Sequence, residues 1–136
     1  MSVTAIASIT EFEGSVIRVV FNPVKLTPLN LKEGFLNTLQ ALLDRKSPFV
    51  LFVDTTHLQK VPITVCVDIV KFMKLNRAQC RETLIASAIV VSSDFIAGLL
   101  QNVFKLSPPV SPNTVVAGVE EAWAFLQTRH SFATPL

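Results

Sequence analysis

The stretch Phe49-Val50-Leu51-Phe52-Val53-Asp54 is apolar at every position until its closing aspartate. A strand with one wet face would alternate polar and apolar residues. A short unbroken apolar run, launched by Ser47-Pro48 and followed by Thr55-Thr56-His57, needs cover on both faces. It is therefore expected at the centre of a sheet. Its carboxyl end should open onto a loop and then a helix beginning near Pro62, the end at which α/β domains place their working surface.

The rest of the chain is consistent with one domain built around that strand. In 136 residues, half of them hydrophobic, there is room for a single substantial core. Only 16% are charged, and the mean hydropathy is +0.50, so buried strands must absorb much of the apolar surface. A net charge of +2 is too weak to imply a nucleic-acid partner. No apolar run reaches the ~18–20 residues of a transmembrane segment. Met1-Ser2-Val3-Thr4-Ala5 lacks the basic and apolar regions of a secretory signal. Cys66 and Cys80 match neither a zinc spacing nor a redox pair, and free thiols point to a cytoplasmic setting.

In chain order, Thr4–Thr10 and Ser15–Phe21 form a hairpin about Glu13-Gly14, closed by Asn22-Pro23. Asn30 is the expected N-cap of a first helix, with Glu33 at the capping-box spacing. Leu31, Phe35, Leu36, Leu39 and Leu42 make its inner arc, opposite Glu33, Asn37, Gln40 and Asp44. A second helix runs from about Pro62 to Asn76, and Arg77–Thr83 either extends it or connects onward. Ile85–Val91 is the next buried strand, and Ser92-Ser93-Asp94 caps a third helix to about Phe104 with Phe95, Ile96, Leu99, Leu100 and Val103 on its buried side. After a stiff Ser107–Pro112 connector come a short strand, Thr114–Ala117, and a last helix, Val119–Gln127. Residues 1–127 make the domain, and 128–136 are expected to be a loosely held tail. The fold class is α/β: a mixed, mostly parallel sheet with an N-terminal hairpin and four helices, ββαβαβαβα.

This order resembles the STAS or SpoIIAA-like domains, a shortened relative of the CRAL-TRIO layout. The resemblance rests on Val50-Leu51-Phe52-Val53-Asp54, on the loop before the Pro62 helix, and on Val115-Val116-Ala117-Gly118-Val119-Glu120-Glu121-Ala122-Trp123. It implies a regulatory domain that meets protein partners through its second helix and is switched by phosphorylation at that helix's start. Here the start reads Val61-Pro62-Ile63-Thr64-Val65. Only Thr64 offers a hydroxyl for that switch, and the aspartate that precedes it in such domains is absent.

On a helical wheel Val65, Cys66, Ile69, Val70, Phe72 and Met73 face inward. Thr64, Asp68, Lys71 and Lys74 face outward, with Val67 and Leu75 among them. That outer side is a candidate partner or self-association face, although scattered surface apolar residues are common. Lys71, Lys74, Arg77 and Arg81 would form a basic ridge if the helix continued. Thr55, Thr56, His57, Ser92, Ser93 and Asp94 gather at the carboxyl ends of two central strands as a candidate ligand rim. Their residue types suit caps and turns equally well, and no strained nucleophile turn is present, so no catalytic residue is assigned. Cys66 with His57 is discounted because the thiol falls on the inner arc, and His130 has no evident partner. No ligand spacing suggests a metal, and four scattered glycines form no phosphate loop, so no cofactor is expected. Ten phenylalanines without a tyrosine leave a second class open, a carrier or sensor of a small apolar, lipid-like molecule.

Overall fold

The hairpin forms because Glu13 and Gly14 both adopt positive φ, 53° and 74°, in a three-residue connection closed by the Ser15 N–H donating to the Phe12 carbonyl. The computed structural model describes residues 2–135; Met1 and Leu136, the two ends of the expected domain and tail, lie outside the described residues. Strands β1 (Ser2–Val3), β2 (Ala7–Phe12), β3 (Val16–Phe21), β4 (Phe49–Asp54), β5 (Leu84–Val90) and β6 (Asn113–Val116) form one sheet in sequential order. The β1–β2 and β2–β3 pairs are antiparallel, and the later pairs parallel. The architecture is the expected one, with the two-residue edge strand β1 added and the first two of the four expected helices divided into shorter segments.

Three helical connections join the parallel strands. The first comprises α1 (Pro28–Leu31), a π-helical turn (Lys32–Leu36) and α2 (Asn37–Asp44). The second comprises α3 (Ile63–Leu75) and α4 (Arg77–Thr83), and the third is α5 (Asp94–Leu106). Sequential strands joined by right-handed crossovers put all such connections on one face. The front core accordingly combines Ile17, Val19 and Phe21 with Leu51, Val53, Leu31, Leu43 and Val65. Helix α6 (Val119–Gln127), which no strand follows among the described residues, lies on the back. There Ala122, Trp123 and Leu126 pack on Val50, Phe52, Ala86 and Ala88.

Several local expectations are corrected. The first helix is capped by Thr27, not Asn30: the Thr27 hydroxyl accepts from the Asn30 N–H, and the Asn30 side chain accepts from the Thr27 N–H. Extended backbone at Thr27 followed by Pro28 starts the helix three residues early. The π-turn then adds a residue to the helical period, which brings Leu43 to 1% exposure beside Leu42. Phe95, placed on the inner side by the sequence, is 69% exposed, because it occupies the first turn of α5, beyond the cover of the sheet. The 128–136 tail is tied down as far as it is described. Phe132 meets Trp123 edge-to-face at 6.0 Å, Gln127 donates to the Phe132 carbonyl and the Thr134 hydroxyl, and His130 has a partner, Ser15, 2.9 Å away.

Gly34 sits in the π-turn against the first strands. A Cβ there would lie 2.5 Å from Ile6 Cγ1, and Ile6 is itself 2% exposed. Alanine would improve helix propensity by about 1 kcal/mol, but the clash is larger. Gly34→Ala is expected to lower stability by about 1–2 kcal/mol net, read as a reduced urea midpoint at unchanged slope.

Candidate functional site

Beneath the front helices the packing is incomplete. Helix α3 fully buries only Val65 and α5 only Val103; Ile69, Phe72, Met73, Ile96, Leu99 and Leu100 are half-buried. These inner faces surround a partly open cavity of about 190 Å³. Its floor is the front of the sheet, from Phe21 through Leu51 and Val53 to Ser87 and Ile89, and Phe35 and Leu39 close the side under the first helix. The wall is almost wholly apolar.

Apart from Thr55, the polar wall residues collect at one end. Asn113 Nδ2 donates to Ser87 Oγ at 2.6 Å, Ser111 Oγ donates to the Cys80 carbonyl at 3.3 Å, and Arg77 Nη1 donates to the Pro108 carbonyl at 3.2 Å. Cys66 and Cys80 also line the cavity, both half-buried and free. Burial pushes both thiols above their ordinary pKa, which keeps them protonated and slow to react. The inner arc drawn through Cys66 is thus a cavity wall more than a packed core.

The predicted rim residues do gather at the carboxyl ends of β4 and β5, but their hydroxyls are engaged locally. Thr55 Oγ1 donates to the Val90 carbonyl at 2.8 Å, and it alone of the six reaches the cavity. The Thr56 N–H and hydroxyl both donate to Asp54 Oδ1, at 2.9 and 2.7 Å. Ser92 Oγ donates to the Thr56 carbonyl at 3.2 Å, and Ser93 Oγ accepts from the Phe95 and Ile96 N–H groups as the cap of α5. His57 and Asp94 are exposed, and among the described residues no hydrogen bond joins His57 to Thr56, Ser93 or Cys66. No group of metal-ligating side chains occurs among the described residues.

The outer side of α3 is solvent-facing. Val67 is 45% and Leu75 85% exposed, Thr64, Lys71 and Lys74 are exposed, and Asp68 is half-buried beside the first helix. Ile63, 74% exposed, continues this side toward the helix start, a member the sequence reading left out. The basic ridge does not extend along it. The chain bends at Asn76 (φ −104°, ψ 19°), whose buried side-chain amide donates to the Phe72 carbonyl, so Arg77 and Arg81 belong to a separate helix. Arg77, Ser87 and Asn113 were missed as cavity residues; a lone serine inside the apolar Leu84–Val90 strand was the available signal.

No protein-family profile matches the sequence, and no curated protein matches it. Among solved structures, the chain is similar to an uncharacterized protein of the DUF3478 family with a SpoIIAA-like fold, from Shewanella loihica PV-4. The two are 16% identical, with a TM-score of 0.58 over 93% of this chain and 98% of that one. The fold is therefore SpoIIAA-like. No helix among the described residues is long and apolar enough to cross a membrane.

Proposed function

We propose that this SpoIIAA-like domain acts by binding, not by turnover, and that its front cavity takes a small apolar molecule. The void itself carries this reading. Its wall is almost wholly apolar, so a guest that covers the wall removes that surface from water at about 25 cal/mol per Å². A space of ~150 Å³ lined by Leu, Ile and Phe holds benzene, so this one has room for about eight carbons. Burying that many methylenes, at about 0.8 kcal/mol each, contributes about 6 kcal/mol and supports a dissociation constant on the order of tens of micromolar.

The test is titration with 1-octanol. At ten times its dissociation constant, octanol should stabilise the fold by about 1.4 kcal/mol, raising Tm by about 3–5 °C, while ethanol at the same concentration does not. Octanol should also slow iodoacetamide labelling of Cys66 and Cys80, which line the same space. No shift and no protection would end the proposal.

A second reading is favoured by the exposure of Val67 and Leu75: the outer side of α3, with Thr64, Asp68, Lys71 and Lys74, docks a protein partner or a second copy of the chain. Phosphorylation of Thr64, exposed in the first turn, would place negative charge at the helix's positive end and alter that surface. The Val67→Asp, Leu75→Asp double variant should sediment as a monomer where the parent self-associates, with Tm unchanged within about 2 °C because neither side chain is in the core. Identical sedimentation of both proteins would remove self-association. The free thiols of Cys66 and Cys80 suit a reducing, cytoplasmic setting.

A further inference from the structure

We propose that the molecule taken by the cavity carries a carboxylate and that Arg77 receives it at the rim; this rests on reading the cavity as a ligand site. Arg77 is the charged residue of a wall that is otherwise neutral. The bend at Asn76 takes it out of α3 and sets it at the start of α4, facing the α5–β6 connector. Its one hydrogen bond among the described residues goes to the Pro108 carbonyl, which leaves most of the five guanidinium donors available. No carboxylate among the described residues pairs with it: the ion pair there is Glu11 with Arg45, elsewhere on the molecule.

The neighbouring polar groups are neutral and already engaged: Asn113 donates to Ser87, and Ser111 donates to the Cys80 carbonyl. Arg77, Pro108 and Pro109 are the solvent-exposed members of the wall, so they mark the rim at this end. A carboxylate held there keeps part of its hydration, whereas the apolar interior would strip it without replacement. The guanidinium fork matches a carboxylate in a two-point, charge-assisted contact. An aliphatic tail lying over Ile89 toward Phe21 with its head at Arg77 uses both ends of the site.

The experiment compares octanoate with 1-octanol, equal in chain length, by calorimetry at low ionic strength and pH 7.5, on the parent and on Arg77→Gln and Arg77→Lys. In the parent, octanoate should bind about tenfold or more tightly than octanol. Arg77→Gln should collapse that ratio to about one, chiefly by weakening octanoate, and Arg77→Lys should retain part of it, since charge survives but the fork does not. Equal binding of the two probes to the parent, or a ratio that survives in Arg77→Gln, overturns the assignment of Arg77 while the apolar cavity stands as a site. Failure of both probes to bind overturns the cavity reading with it.

Discussion

Trp123→Ala is expected to cost about 3–5 kcal/mol, enough to leave a large fraction of the protein unfolded near 37 °C. The indole is 5% exposed and stacks on Phe52 with ring centroids 4.0 Å apart and planes within 4°. It also meets Phe132 of the tail, so its loss opens a cavity and frees the segment that shields it. The front core draws on three helical connections, whereas the back core has α6 alone, and no neighbouring helix can shift to fill the gap. Ala86 and Ala88, fully buried beneath α6, offer no bulk for repacking. Chemical denaturation should show the midpoint falling sharply. Trp123→Phe keeps an aromatic face against Phe52 and should cost only about 1–2 kcal/mol. Equal losses for the two would mean that the aromatic stack contributes little.

The second large effect is functional. Ile89 lies on the floor of the front cavity and is half-buried, although its neighbours Ala88 and Val90 are fully buried. Ile89→Trp should fill much of the 190 Å³ and weaken octanol and octanoate alike by more than about tenfold. In a packed core the same enlargement would cost about 1–3 kcal/mol; into empty space it should leave stability within about 1 kcal/mol of the parent. A folded Ile89→Trp protein that still takes octanol with parental affinity would place the ligand elsewhere. A loss of 3 kcal/mol or more would show that the space is not free.

These two results test parts of the molecule that the sequence revealed unequally. The Phe49–Asp54 strand, the hairpin and the Val119–Gln127 helix were legible because each is encoded locally, by an unbroken apolar run, by a turn needing positive φ, and by acidic residues at a helix start. The exposed side of α3 was legible from helical periodicity, with Val67 and Leu75 interrupting the charges. The tail was not, because what holds it is distant in sequence: Ser15 for His130, Trp123 for Phe132. The π-turn was hidden too, since a 3.6-residue wheel presumes the regular period that the Lys32–Leu36 segment interrupts. The cavity was the least legible. An empty volume belongs to no residue, and half-buried Leu99 or Ile69 has the same periodicity as a fully packed one. Phenylalanine content pointed toward an apolar ligand without locating it, and Arg77 joined the site only through the bend at Asn76.

The reliance of one sheet face on α6 has a bearing on biosynthesis. A polypeptide growing from its N-terminus has completed all six strands before Trp123 is added. Until then Val50, Phe52 and Val90 offer a bare, sticky surface to neighbouring nascent chains and chaperones. Premature termination shortly after β6 would therefore yield a product prone to aggregate, even though every strand of its sheet had been made.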